Sequence, residues 1–245
     1  MQFWTSRALS LPVAVLLGAA LCGCPNPNTY QTPRTVAPGK IQHSVSLEGY
    51  GATVETVRTK DTRETTRQTE TVFLPTLPSY QLRVGLGDRV DVGGHLHNLS
   101  SLGLDVKVNP LRGVFDLAVD PGVQYFYAGS DEASVHVFYM HAPLMLGLNP
   151  TDWFSIVLTP GVTYALVAGR SDVNGVNKAA AVDGLLLRGS LGLQFRASNS
   201  FAIHPEVTLM KGLEGPGVVY NLGLGFNFGT LPSYEDLAGP APGGL

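Results

Sequence analysis

The sequence predicts an all-β protein, a single antiparallel transmembrane β-barrel of about ten strands, with eight as the alternative. Three observations carry this. From Lys40 onward apolar residues recur at alternate positions, the period of a strand with one apolar and one more polar face. Tight turns alternate along the chain with longer, more variable connections. Aromatic residues gather toward the ends of the candidate strands rather than at their middles.

Composition narrows the chemistry. A net charge of −3 with only 14% charged residues offers no basic face, so nucleic acid is not expected as a partner. The two cysteines, Cys22 and Cys24, lie together near the N-terminus and can build neither a disulfide framework nor a metal site for the body of the chain. No cofactor or metal is expected.

At the N-terminus Arg7 supplies positive charge, and "ALSLPVAVLLGAAL" is an apolar run too short and too proline-broken for a good membrane helix. The run ends in "LCGC", residues 21–24, which resembles the lipobox of bacterial lipoproteins. That resemblance implies a signal peptide over 1–23, cleavage before Cys24, and a lipidated Cys24 as the new N-terminus. Ordinary signal-peptidase cleavage nearby is the other reading. The next segment, 24–39, is rich in Pro, Asn and Thr and reads as a flexible tether.

The strands are expected at 40–50, 78–87, 89–98, 101–109, 114–128, 133–148, 153–169, 184–197, 200–212 and 217–229. Eight would result if 89–109 folded otherwise. "GDR" at 87–89, "NPLRG" at 109–113, "NPTD" at 149–152 and "ASNS" at 197–200 are tight turns at one end. The connections 51–77, 98–101, 129–133, 170–183 and 213–216 are longer on average and fall at the other end. This asymmetry resembles bacterial outer-membrane barrels, whose short turns are periplasmic. An even strand count then returns both termini to the periplasm.

Alternation alone does not say which face is inside, because a soluble sandwich alternates too. The aromatics discriminate. Phe115, Phe154, Phe195, Phe201, Phe226 and Phe228 map to the turn end, and Tyr80, Tyr125, Tyr127, Phe138 and Tyr220 toward the loop end. Two such bands are the interfacial girdles of a membrane barrel. The last strand contains "NLGLGFNFG", with Asn221, Gly223, Phe226 and Phe228 at fixed spacing. It resembles the β-signal by which the barrel-assembly machinery recognises outer-membrane proteins. By that resemblance Phe226 and Phe228 face lipid, while Asn221, Gly223, Gly225 and Asn227 face inward. The barrel domain is thus 40–229, and residues 230–245 read as a disordered periplasmic tail.

On this register the lumen receives a network of pairable charges: Arg83, Asp91, His95, Asp105, Arg188, His204 and Glu206, with Glu48, His97, Lys107, Asp116, Asp120 and Arg196 on the same face. Arg83 lies diagonal to Asp91, His95 opposite Asp105, and His204 and Glu206 share one strand face. Charges inside a narrow barrel pair and fill it, because an unpaired buried charge is costly. Eight strands leave room only for side chains, and ten not much more, so an open pore is not expected.

Barrel enzymes are weighed against this. Outer-membrane proteases carry an Asp-x-His at the rim, and the chain has none, although Asp131, Glu132 and His136 cluster near that rim. A His–Ser pair of the lipid A deacylase kind is not matched by His43 and Ser44, which are adjacent and so point to opposite faces. Outside, residues 53–72 alternate charge sign through a threonine-rich stretch. This reads as a projecting hairpin with "KDTRE" at its tip, either contacting a surface partner or simply solvated.

The expectation is a non-enzymatic outer-membrane barrel of a Gram-negative cell with a structural, adhesive or complex-forming role, in contact with outer-membrane lipid. A narrow channel for small solutes, or a rim-located hydrolase, is the alternative. The anchor is tested by itself. Metabolic labelling with a palmitate analogue is expected to mark the protein and to be lost in Cys24→Ser; equal labelling of both would remove the lipoprotein claim.

Overall fold

The computed structural model describes residues 26–59, 65–98, 100–129, 133–173, 176–213 and 218–237. Its strands are β1 (Ile41–Thr59), β2 (Thr65–Pro75), β3 (Ser79–Gly87), β4 (Val90–His97), β5 (Ser101–Leu111), β6 (Phe115–Val119), β7 (Gly122–Gly129), β8 (Ala133–Leu148), β9 (Phe154–Val173), β10 (Val176–Ser198), β11 (Phe201–Gly212) and β12 (Val218–Gly229). All pair antiparallel, and β12 returns to β1 from Gln42↔Gly229 to Thr53↔Val218, which closes the sheet. β2 and β3 lie end to end beside β1, and β6 and β7 end to end between β5 and β8. Twelve segments therefore occupy ten staves. The region 89–109 forms β4 and β5, so the eight-strand alternative is excluded.

Closure solves a problem that an open sheet would leave at each edge, where backbone amides would have no partner in hydrocarbon. The weakest place is the stave shared by β6 and β7, which Pro121 interrupts because it has no N–H to donate. The ladder is bridged there: Val106 N–H donates to the Pro121 carbonyl at 3.0 Å, and Asp120 N–H to that of Pro143 at 3.2 Å.

The faces are inverted relative to a water-soluble protein. Leu47, Leu102, Leu104, Leu158, Leu191, Leu209 and Leu222 are exposed, while Ser44, Glu48, Arg83, Asp91, Lys107, Thr208 and Asn221 are buried. Leu104 is 66% exposed and its neighbour Asp105 only 4%. Such a wall is stable only against hydrocarbon. On β12, Asn221, Gly225 and Asn227 are buried and Phe228 is exposed, the parity expected of this stretch.

Aromatic rings mark both rims. At the turn end Phe154 lies 5.2 Å from Phe195 and 5.8 Å from Trp153, and His43 stacks on Phe228 at 5.3 Å. Tyr80, expected toward the loop end, joins this lower band through its hydroxyl, 2.6 Å from His43 Nδ1. At the loop end Tyr127 lies 4.9 Å from His136, whose Nδ1 is 2.8 Å from the Tyr125 hydroxyl. Phe73 and Tyr220 cover the glycines Gly49 and Gly51, where a Cβ would meet their rings at 2.2 and 1.9 Å.

Two strand pairs continue beyond the wall. β1 and β2 pair from Gly49↔Pro75 to Thr59↔Thr65, so the flanks of the 53–72 hairpin are β-structure; its tip, 60–64, lies outside the described residues. Of the connection expected at 170–183, residues 170–173 and 176–183 instead extend the β9–β10 hairpin from Val176↔Val173 downward, with β8 joined as far as Ala133↔Ser171; residues 174–175 lie outside the described residues. Outside the membrane both faces of a ribbon are wet, so pairing there needs no apolar alternation.

Both flanking segments depart from the expected tether and tail. Residues 28 and 30–36 are buried, and the described chain begins at Asn26 inside the lumen rather than at the turn end. At the other terminus Leu231 and Tyr234 are buried under the turn end, and Glu235–Leu237 forms a 3₁₀ turn. The Arg34 and Arg196 guanidinium groups lie 4.0 and 4.6 Å from the Tyr234 ring centre. Burial works against a charged Asp236, and the Arg34 guanidinium bonded to it outweighs that cost and holds the carboxyl below its ordinary value. Residues 238–245 lie outside the described residues.

Since Phe226 and Phe228 point outward at the lower rim, replacing both with charged residues is expected to block insertion. A charge on the lipid face costs about 2–4 kcal/mol at mid-membrane and less near the interface, so lost recognition should exceed lost burial. Normal heat-modifiable migration of the double variant would contradict the assignment.

Candidate functional site

The lumen holds two constellations that share Asp91 and Lys107. The first is ionic and belongs to β3–β7. Strand alternation sends Arg83, Asp91, Asp105 and Lys107 inward, and Gly93 leaves the space between them, since a Cβ there would lie 2.6 Å from Asp105 Oδ1 and 2.8 Å from Arg83 Nη1. The Arg83 guanidinium meets Asp91 at 2.6 Å, Asp105 at 2.6 Å and Asp120 at 3.2 Å. Lys107 stands 3.6 Å from Asp91, and His95 bonds to Asp105 and, at 2.8 Å, to Gln81. Arg83 and its three acids are all buried, so each depends on the others for the solvation that water no longer gives.

The second constellation is a plug. Residues 26–36 run down the lumen toward the turn end, and the wall binds them mainly through side chains. Asn26 donates to Glu48 at 2.9 Å, and its backbone N–H to Gln124 at 3.2 Å. Asn28 donates to Asn221 at 3.0 Å and accepts from Thr208. The Glu206 carboxylate takes the backbone N–H groups of Thr29 and Tyr30 at 3.0 and 2.7 Å, and Asn227 donates to the Tyr30 carbonyl at 2.9 Å. Lower down, Lys107 reaches Gln31 at 2.9 Å and the Thr32 carbonyl at 3.2 Å, Arg34 bonds Asp116 at 2.7 Å, and Val36 N–H bonds Asp91 at 2.9 Å.

Tyr30 is the anchor. Its ring and hydroxyl lie against the inward glycines of β12: a Cβ on Gly223 would fall 1.8 Å from the hydroxyl oxygen, and one on Gly225 2.7 Å from Tyr30 Cβ. Its backbone is left-handed, with φ 51°, uncommon for a bulky residue and held only where the surroundings over-determine it. The His204 ring meets the Tyr30 ring edge-on at 6.4 Å.

The expected charge network is thus divided. Arg83, Asp91, His95 and Asp105 come together, with Asp120 and Lys107. Arg188, His204 and Glu206 serve the plug instead: Arg188 bonds the Pro27 carbonyl, and His204 is 3.8 Å from Glu206, beyond hydrogen-bond reach. His141, which also lines the lumen, was not among the expected lumen residues. The narrow-barrel expectation is corrected as well. Ten staves enclose an extended peptide in addition to the side chains, and beside it lie small cavities, one of about 30 Å³ lined by Gln81, His95, Asp105, Gln124 and His141 among others and one of about 20 Å³ lined by Ser44, Ser46, Ser79 and His97 among others, each with room for a water molecule or two.

Nothing in the lumen completes a catalytic set among the described residues. Ser79 bonds His97 Nδ1, but the other ring nitrogen faces the Tyr50 hydroxyl at 3.1 Å rather than a carboxylate, and all three residues are buried. His136 is engaged with Tyr125 and Tyr127, and Asp131 and Glu132 lie outside the described residues. No group of three His, Cys, Asp or Glu among the described residues is placed to hold a metal ion. Cys24 also lies outside them.

No protein-family model matches the chain, and no curated protein matches it. Solved structures do. Ail, the attachment invasion locus protein of Yersinia pestis, is 14% identical over 77% of this chain and 99% of its own, with a TM-score of 0.33. The translocator domain of autotransporter NalP from Neisseria meningitidis is 12% identical over 91% and 96%, with a TM-score of 0.44. The outer membrane protease OmpT from Escherichia coli is 8% identical over 84% and 100%, with a TM-score of 0.45. Identities this low say nothing about activity, and the barrel stands on its own register and faces.

Replacing Arg83 with Met would leave Asp91, Asp105 and Asp120 buried against one another. Loss of one partner of a buried pair costs about 3–5 kcal/mol, so the urea midpoint of unfolding in micelles is expected to fall well below wild type. An unchanged midpoint would show that the cluster does not hold the barrel.

Proposed function

We propose that the chain is a non-enzymatic β-barrel of a Gram-negative outer membrane, held shut by its own residues 26–36. Its role is structural, adhesive or complex-forming at the cell surface. The observation that carries this is the plug: a lumen filled by a hydrogen-bonded peptide, with cavities of only about 30 and 20 Å³ beside it, passes no solute at rest. The outward apolar wall and two aromatic rims support residence in a bilayer. Short turns at the end that carries residues 230–237 fit a periplasmic side, which leaves the β1–β2 and β8–β9–β10 extensions outside. In this reading the 53–72 hairpin is the surface offered to a partner. Asn221, Gly223, Phe226 and Phe228 are offered to the barrel-assembly machinery, and Cys24 carries the lipid.

The competing reading, a constitutive narrow channel, is disfavoured by the plug itself. Purified full-length mature protein in planar bilayers is expected to give no steady unitary conductance. Steady openings in the unmodified protein would overturn the closed barrel and favour the channel.

A further inference from the structure

The plug is held as a ligand is held. A strand added to the wall would share a backbone ladder with it, but the described segment has one isolated bridge, Pro38↔Gly85, at the point where it turns into β1. Above that bridge the wall holds the segment mainly with side chains, and the most specific contacts cluster at Asn28 and Tyr30. The Asn28 amide spans three partners: Asn221, Thr208 and the Tyr30 hydroxyl, the last at 2.7 Å. Between the two residues Glu206 accepts the backbone N–H groups of Thr29 and Tyr30 at 3.0 and 2.7 Å, and the Thr29 hydroxyl adds only a longer contact to the same carboxylate at 3.4 Å, so the middle position is held chiefly through its backbone. Gly223 and Gly225 form a recess that a side chain would fill, and Gly192 opens the place into which His204 leans, 2.2 Å from where a Cβ would be. The recess, the carboxylate and the amides are therefore built for a tyrosine two residues after an asparagine.

The segment is also detachable in principle, because the wall closes without it. β12 pairs with β1 and β11 along its length, and no stave uses residues 26–36 as a neighbour. Residues 37–40 at the hinge are exposed, with Gly39 in the left-handed region at φ 69°, a geometry glycine adopts without cost. The surface behind the plug is polar: Glu48, Arg188 and Glu206 on it are charged and Ser44, Gln124 and Thr208 neutral, all of them buried. Emptied, it would take up water rather than collapse.

We propose that the lumen wall is a binding site for an extended Asn-x-Tyr peptide, occupied at rest by the chain's own Asn28–Tyr30, and that emptying this site opens a polar conduit across the membrane. This rests on the closed-barrel reading and adds recognition and reversibility to it.

The test keeps the full chain through assembly. A specific protease site replaces residues 37–40 in protein carrying Cys24→Ser, so that no lipid retains the cut segment; the protein is folded and reconstituted, and the hinge is then cut, so the barrel never has to form without its plug. Release of the peptide is followed by mass spectrometry and conductance in planar bilayers. Cutting is expected to release the segment and to give steady openings. A synthetic peptide spanning residues 26–36 is expected to block them again, and the same peptide with Tyr30→Ala to need about tenfold more or beyond. In the cut Tyr30→Ala protein the plug should leave faster than in the cut parent. Released plug without conductance overturns the conduit, and equal block by the two peptides overturns the recognition. A plug that stays in the cut Tyr30→Ala protein as firmly as in the parent overturns the anchor. Openings before cutting would instead sink the closed barrel itself.

Discussion

A wall that faces hydrocarbon sends its polar residues inward, and each of them must then find a partner inside the barrel. The lumen meets this demand in two different ways on its two sides. Along β3–β5 the inward side chains are long and charged, and they satisfy one another: Arg83 with Asp91, Asp105 and Asp120, and Lys107 beside Asp91. Along β10–β12 the inward positions include Ser190, Gly192, Gly223 and Gly225, too small to reach across ten staves. The peptide fills that side, bringing its own amides and carbonyls to Glu206, Asn227 and Arg188. Lys107 and Asp91 belong to both arrangements, since each also bonds the plug. The ion cluster and the plug are consequently one connected polar interior rather than two inserts.

What the sequence made legible follows this division. Any property set by the wall alone was readable from parity: which residues of β12 face in, that Arg83 and Asp91 share a face, that Phe154 and Phe195 lie at a rim. Those are consequences of a period of two and of turn positions, both local. The plug was not readable, because nothing local marks it. Pro27, Pro33 and Pro38 prevent regular strand pairing, and Asn, Thr and Gln between them are what a solvated tether also contains. Its partners lie up to nearly two hundred residues away, as Asn28 and Asn221 do. The signal that could have pointed to it is the paired inward glycines of β12: a lumen position without a side chain leaves space that something must occupy.

The same division between wall and interior accounts for the two departures from the expected margins. The β9–β10 hairpin continues through 170–173 and 176–183 because pairing between adjacent strands needs only backbone groups once water covers both faces; periodicity is blind where neither face is apolar. Residues 230–237 of the tail pack against the barrel through contacts no composition could reveal, since Tyr234 sits against Arg34 of the plug and Arg196 of β10. Arg34 also bonds Asp116, the Gly113 carbonyl and Asp236. One arginine from the N-terminal segment thus fastens a turn and the C-terminal segment at the lower mouth of the barrel.

Two unrelated constraints therefore meet in the stretch "NLGLGFNFG" and stay separate because a strand alternates. The outward positions answer to the membrane: Phe228 lies exposed at the lower rim, against His43. The inward positions answer to the peptide: Asn221 and Asn227 bond it, and Gly223 and Gly225 make room for its tyrosine. A larger residue at either glycine would leave the outer surface unchanged while pressing on Tyr30, and a charge at either phenylalanine would leave the recess unchanged while spoiling the rim. Glycine in a strand interior ordinarily weakens it. Here that cost is offset from the other side, because Glu206, Asn227 and the recess hold Tyr30, and Tyr30 in turn supplies β12 with the packing that its glycines lack.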